Sequence, residues 1–83
     1  MDVQQEVLRV LDETLSLGGR ALHYSRDTHL LGAVPELDSM AVVTLITGLE
    51  DRFGIVVDDD DIDGDTFATV GSLVAFVDSK VAG

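Results

Sequence analysis

Apolar residues recur at the spacing of an α-helix in three stretches of this 83-residue chain, and this pattern restricts the fold more than any other feature. The three sets are Val3, Val7, Val10, Leu11 and Leu15; Val42, Leu45, Ile46, Leu49 and Phe53; and Val70, Leu73, Val74, Val77 and Val81. Each set lies on one face of a helix, and that face is stable only when it packs against another element. The sequence therefore predicts an all-α bundle.

Residues that favour helix ends delimit these stretches. The Gly18-Gly19 pair is expected to end the first helix. Asp38 and Ser39 both favour the N-cap position, so we expect the second helix to start there and to run to about Phe53. Thr69 is expected to cap the last helix.

The connections differ in length and character. Residues 20–38 form a long first loop, which is compatible with a compact domain if its leucines pack back onto the bundle. Residues 55–57 are β-branched and are interpreted as a packed connection. We predict a short third helix over 58–65, although Gly64 and the aspartates around it disfavour helix interiors. The predicted fold is thus a four-helix bundle, with three longer helices and a short one, in a single domain over residues 1–83. Its core is expected to be aliphatic, with Phe53, Phe67 and Phe76 as the large side chains.

Negative charge dominates the composition. Sixteen acidic residues against five basic ones give a formal net charge of −11, which disfavours binding to nucleic acid or to anionic membranes. Basic patches on other proteins are the partners that such a surface favours. We find neither a signal-peptide pattern nor a membrane-spanning stretch, and we expect a cytoplasmic monomer.

Ser39 stands where the second helix is predicted to begin, and its hydroxyl is the candidate functional group. Unpaired amides and the positive end of the helix dipole meet at such a position, and a phosphate there gains about 0.3–1 kcal/mol. The alternative is that Ser39 is only an N-cap, a role that contributes about 1 kcal/mol.

Several short motifs stand at fixed distances around Ser39. They are Leu30–Met40, Val42, Leu45, Leu49–Asp51, Phe53–Ile55 and Thr69-Val70. Together with the acidic stretch before Thr69, they resemble the acyl and peptidyl carrier proteins, whose attachment motif is an Asp-Ser-Leu-like triplet opening the second of four helices. The resemblance covers nearly the whole chain. The chain also resembles, more loosely, the free-standing carriers of specialised bacterial gene clusters.

The resemblance implies a specific chemistry at Ser39. A Mg²⁺-dependent phosphopantetheinyl transferase would attach 4′-phosphopantetheine from coenzyme A to this serine, and Asp38 would help to position it. The terminal thiol of the arm would hold an acyl group as a thioester, which suits a chain without cysteine. The protein would then have no enzymatic activity and would present its cargo to acyl-activating and acyl-transfer or synthase enzymes.

The predicted second helix departs from many fatty-acid carriers. Ala41 and Thr44 stand where those proteins have acidic residues, and acidity returns only at Glu50 and Asp51. We therefore expect docking near the arm to depend more on apolar contact than on charge. The predicted partner-recognition residues are Met40, Val43, Thr47, Glu50 and Asp51. For Met40 the alternative is a place in the core.

Three alternative functions accompany this hypothesis. A peptidyl or aminoacyl carrier would share the fold and the serine. Residues 59–64 fit the first half of an EF-hand calcium loop, but Val70 stands where the bidentate glutamate belongs. A hydrolase would need Ser39 with His23 or His29, but the glycine-flanked nucleophile motif is missing. We accordingly predict no catalytic residue and no metal site.

Overall fold

The computed structural model describes residues 2–62 and 65–82, and three α-helices form its framework. Helix α1 spans Val3–Leu15, α2 spans Ser39–Phe53 and α3 spans Val70–Ala82. The connections contain two 3₁₀ helices, Arg20–His23 and Asp59–Asp61, and no strand occurs within the described ranges. The three long helices predicted from apolar spacing are confirmed. None of the described helices combines the length and the apolar character that crossing a bilayer requires.

Helix α1 lies at the centre of the packing and contacts both α2 and α3. Leu11, Leu45 and Leu73, one from each helix, are fully buried. Burial of such a side chain contributes roughly 1.5–3 kcal/mol. Phe67 is the one phenylalanine in the buried core, while Phe53 and Phe76 pack against its edge. The core is therefore aliphatic, as predicted, but its large side chains are less central than the sequence indicated.

Helix α1 ends three residues before the predicted glycine pair. Ser16 is its C-cap and adopts a left-handed backbone with φ of 53°. The amides of Ser16 and Leu17 both donate to the carbonyl of Asp12, a C-terminal cap that turns Leu17 into the core. The helix therefore ends before Gly18 and Gly19, because the turn at Ser16 is the one that buries the apolar Leu17.

Main-chain hydrogen bonds tie the long first loop to the start of α3. The amides of Leu30 and Leu31 donate to the carbonyls of Ala68 and Phe67, and the amide of Val70 donates to that of Thr28. Of the loop leucines, Leu30 and Leu37 are buried, whereas Leu22 and Leu31 are 42% and 49% exposed. The expected packing of this loop therefore depends on backbone pairing as well as on leucines.

The predicted short third helix over 58–65 is not confirmed. Residues 59–61 form only a 3₁₀ turn, residues 65–68 form a turn, and residues 63 and 64 lie outside the described part of the chain. Closely spaced aspartates repel one another and disfavour helix interiors, so the segment gains little from continuing as a helix. The Lys80 ammonium lies 2.7 Å from Asp61 Oδ2 and fixes the turn against α3. The confirmed architecture is an all-helical fold with three helices.

Candidate functional site

Asp38 and Ser39 occupy different structural positions at the start of α2. Asp38 is the N-cap: its Oδ1 accepts a hydrogen bond of 2.8 Å from the amide of Ala41, and its carbonyl accepts one from Val42. Ser39 is the first residue of the helix and is exposed. Within the described residues no side-chain hydrogen bond involves Ser39 Oγ. The interpretation of Ser39 as an N-cap is therefore wrong, since Asp38 has that role and leaves the serine hydroxyl accessible.

Two buried side chains hold the segment that precedes Ser39. Val34 and Leu37 are 8% and 5% exposed, and the amide of Leu37 donates to the carbonyl of Val34 over 3.0 Å. Pro35 and Glu36 form the exposed part of the same turn. The point at which α2 begins is thus anchored in the core, and the serine is placed at its outer edge.

The electrostatic environment at this end of α2 is suited to an anion. An α-helix leaves its first amides without intrahelical partners, and the capping bonds of Asp38 involve only those of Ala41 and Val42. The first turn contains no acidic residue. The helix dipole favours a negative group attached at Ser39, against the repulsion of the Asp38 carboxylate that caps the same helix.

The outer face of α2 beside Ser39 is largely apolar. Met40 is 75% exposed and Val43 is 62% exposed, so Met40 does not belong to the core. Thr44 and Thr47 are also exposed, and their hydroxyls donate to the carbonyls of Met40 and Val43 within the same helix. This face consists of carbon and hydroxyl groups and bears no charge.

The two acidic residues further along α2 have different surroundings. Asp51 is exposed. Glu50 is half-buried, and its Oε2 accepts a hydrogen bond of 3.0 Å from the amide of Val57. Glu50 thus fixes the 55–57 connection under the end of α2, a role that the sequence analysis missed. The bond joins the last turn of α2 to a residue seven positions later, beyond the end of the helix, so no local pattern indicates it.

The features behind the alternative functions belong to elements other than α2. His23 is in the first 3₁₀ helix and His29 pairs through its backbone with Thr69. Both histidines are exposed. Val70, at the position of the calcium-loop glutamate, is a fully buried residue of α3. Across 2–62 and 65–82, no three acidic or histidine side chains come close enough together to hold a metal ion.

The chain belongs to the phosphopantetheine attachment site family, whose sequence model matches residues 5–77. It is 33% identical to the acyl carrier protein of Exiguobacterium sp. over 81 residues, which are 98% of this chain and 91% of that relative. Its structure resembles the solution NMR structure of a holo acyl carrier protein from Nitrosomonas europaea. The TM-score is 0.91 and the sequence identity 46%, with 100% of both chains covered. The predicted membership of the acyl carrier protein family is confirmed.

The prosthetic group of this family is 4′-phosphopantetheine, held covalently, and the start of α2 fits it. The arm is joined to its protein through a phosphodiester, which carries a negative charge. A free hydroxyl, uncapped amides and a first turn without acidic residues meet at Ser39. These features would accommodate that charge at the surface.

Proposed function

We propose that Ser39 carries the phosphopantetheine arm and that the protein transports acyl groups as thioesters on it. The observation that supports this most directly is the exposed, unbonded Ser39 hydroxyl at the first position of α2, beside an aspartate that already caps the helix. A capping serine would lose a helix-stabilising bond on modification, whereas this one does not. The chain also has no cysteine, so any thioester it carries must use an imported thiol.

The attachment reaction needs little from this chain. Ser39 Oγ would form a bond to the phosphorus of the pantetheine phosphate in coenzyme A. The bond to the adenosine bisphosphate moiety would break, and the hydroxyl proton would be released. A phosphopantetheinyl transferase with Mg²⁺ would supply the catalysis. Asp38 contributes by fixing the first turn, and the arm supplies the thiol that holds the acyl group.

The carrier itself has no enzymatic activity in this proposal. Its partners are the transferase and the acyl-activating, acyl-transfer or synthase enzymes that load and use the cargo. We propose that they dock on the apolar face of α2 formed by Met40, Val43 and Thr47, with Asp51 at its far end. Glu50 is the weakest member of the predicted recognition set, because its carboxylate already binds the amide of Val57. A single domain over 1–83, a monomeric state and a cytoplasmic location remain predictions.

The test of the attachment site is intact-mass measurement after incubation with coenzyme A, Mg²⁺ and a broad-specificity phosphopantetheinyl transferase. We expect the addition of one arm to the wild-type protein and none to Ser39→Ala. Ser79→Ala is the matched control, since Ser79 is an exposed serine of α3, and it should be modified like the wild type. Modification of Ser39→Ala would place the arm elsewhere. Folded wild-type protein that stays unmodified would refute the proposal.

A peptidyl or aminoacyl carrier is the second candidate, favoured by the uncharged face of α2. Loading assays on the modified protein with activated fatty, hydroxy and amino acids separate the two. Preferential loading with amino acids by a cognate adenylating enzyme would replace the acyl assignment.

A further inference from the structure

Arg20 bridges two segments that are distant in sequence. Its Nε donates to the carbonyl of Leu17 over 3.2 Å, and its second terminal nitrogen lies 2.6 Å from Oε2 of Glu36. Glu36 stands three residues before Ser39. The guanidinium therefore joins the end of the α1 cap to the turn from which α2 starts.

Arg20 is itself held in place by α1. The side chain of Asp12 accepts hydrogen bonds from the amide of Gly19 at 2.8 and 3.1 Å and from the amide of Ala21 at 3.2 Å. These two amides flank Arg20, and Ala21 is fully buried. The backbone of Arg20 is thus fixed to a core helix, so its guanidinium acts from a defined position.

Glu36 occupies the exposed corner of the turn between Val34 and Leu37. Those two neighbours are buried and only Leu37 separates Glu36 from Asp38, so the contact with Arg20 restrains from its exposed side the short segment that leads into α2. The hydrogen bond from Arg20 holds the pKa of the Glu36 carboxyl below its ordinary value, and the same contact raises the pKa of Arg20. Both groups are therefore charged at neutral pH.

The pair is too exposed to matter much for global stability. The Arg20 and Glu36 side chains are 62% and 36% exposed, and ion pairs of this kind contribute little to folding. Its consequence is local. The contact joins the exposed corner of the 34–37 turn to the first residue of the Arg20–His23 3₁₀ helix.

We propose that Arg20 and Glu36 are positioning residues for the modification of Ser39, holding the turn before α2 in the conformation that the transferase binds. This inference rests on the proposed function of Ser39. If the turn adopts the competent conformation only part of the time, the apparent affinity for the transferase falls by that fraction. Chemistry within the bound complex is unchanged. The signature is thus a higher KM for the carrier with an unchanged kcat.

The experiment measures transferase kinetics at saturating coenzyme A and Mg²⁺ for Arg20→Gln, for Glu36→Gln and for the reversed pair Arg20→Glu with Glu36→Arg. We expect each single variant to raise KM about threefold or more at constant kcat, and the reversed pair to return KM toward the wild-type value. Arg52→Gln is the matched control. It breaks the ion pairs of Arg52 with Glu6 at 3.3 Å and with Glu13 at 3.7 Å, which join the far end of α2 to α1, and it should leave KM unchanged.

Amide hydrogen exchange in the unmodified carrier provides a readout that does not involve the transferase. The Leu37 and Ala41 amides, which are bonded to Val34 and Asp38, should exchange faster in Arg20→Gln and at the wild-type rate in Arg52→Gln. Single variants with wild-type KM and exchange would overturn the inference. A reversed pair as impaired as the single variants would also overturn it, because the effect would then follow charge near Ser39 and not the contact. A wild-type protein that is never modified refutes the proposed function instead.

Discussion

At the scale of single residues, Asp38 and Ser39 show how two similar neighbours acquire different roles. Both residue types cap helices, and the sequence could not decide between them. In the structure the carboxylate of Asp38 accepts a hydrogen bond from the Ala41 amide. Ser39 is therefore the first residue of the helix, and its hydroxyl takes no part in the cap. The serine is therefore free for chemistry because the aspartate supplies the cap.

Replacing Asp38 separates the cap from any other role of its carboxylate. Asp38→Ala should lower the free energy of unfolding by about 0.5–2 kcal/mol, whereas Asp38→Asn, which retains a capping oxygen, should cost only a few tenths. Urea denaturation measures both. If Asp38 also assists the transferase through its charge, Asp38→Asn will be modified more slowly than the wild type despite normal stability. Equal stability losses in the two variants would contradict the capping role.

Val43 tests the apolar docking face. Val43→Asp should reduce turnover by partner enzymes, because it introduces a charge into an apolar contact, and it should leave the fold intact since the side chain is 62% exposed. Val56→Asp is the matched control: the same substitution at a valine that is 73% exposed and lies outside α2. Turnover of modified carrier by a loading enzyme, with circular dichroism for folding, gives the comparison. Equal effects of the two variants would contradict a docking role for the apolar face of α2.

Local residues indicated that a helix starts at Ser39, and the resemblance to carrier proteins made its hydroxyl the candidate for modification. It did not identify Arg20, Glu36 or Glu50 as structural contributors. Arg20 and Glu36 lie 16 positions apart and meet only when the long loop folds back. Glu50 looked like a recognition residue, since nothing in the sequence indicates that the Val57 amide needs an acceptor. Contacts that depend on the path of a loop have no local pattern.

At the scale of elements, apolar spacing predicted the helices well and the connections poorly. A helix that buries one face repeats its apolar residues every three or four positions, so α1, α2 and α3 could all be located. The 58–65 segment has no such repetition, and its described residues form a 3₁₀ turn over 59–61 in place of the expected helix. The ties between 26–31 and 67–71 use backbone atoms, which every residue has, and so leave no trace in the sequence.

Two helical glycines are predicted to respond differently to alanine. A Cβ at Gly71 would lie 3.0 Å from the carbonyl oxygen of Arg26, which accepts the Gly71 amide, so loop backbone would have to move. A Cβ at Gly48 would lie 3.2 Å from the side chain of Val10. Gly71→Ala should destabilise the protein by about 1–3 kcal/mol. For Gly48→Ala, the helix propensity gain of about 1 kcal/mol should offset the crowding. Urea denaturation of both checks this, and equal effects would contradict it.

The contact between Asp61 and Lys80 predicts a response to acid. The hydrogen bond from Lys80, followed by that from the Asp58 amide, holds the pKa of Asp61 below its ordinary value of 3.8. Because the folded pKa is the lower one, this stabilisation is complete above the unfolded value and is lost as pH falls through the folded one. The stability difference between the wild type and Asp61→Asn should stay constant from about pH 7 to 5 and shrink below about pH 4. A difference that changes instead between pH 7 and 5 would contradict the assignment.

At the scale of the whole molecule, the net charge of −11 opposes compaction. The principal extents are 30, 26 and 21 Å, so most charges lie within a few Debye lengths of one another at 0.1 M salt, where that length is about 10 Å. The described ion pairs offset only part of this repulsion.

Salt should therefore stabilise the protein at neutral pH. Screening of the excess negative charge is expected to raise Tm by several degrees between low salt and about 0.3 M NaCl, outweighing the weakened surface ion pairs. Calorimetry at pH 7 measures the shift. The control is the same salt series near the isoelectric point of about 4.1, where the excess charge is small and the increase should disappear. A fall in Tm with salt at pH 7 would show that the ion pairs outweigh the repulsion.

The backbone ties between the first loop and the start of α3 have a consequence for how such chains diversify. A segment held through its amides and carbonyls places few demands on its side chains, so substitutions can accumulate there while its course through space persists. Alignments built on residue type should lose register across this loop sooner than across the helices. Superposition of coordinates would still match it. Among divergent members, the backbone course of this loop should therefore be retained after its sequence similarity has been lost.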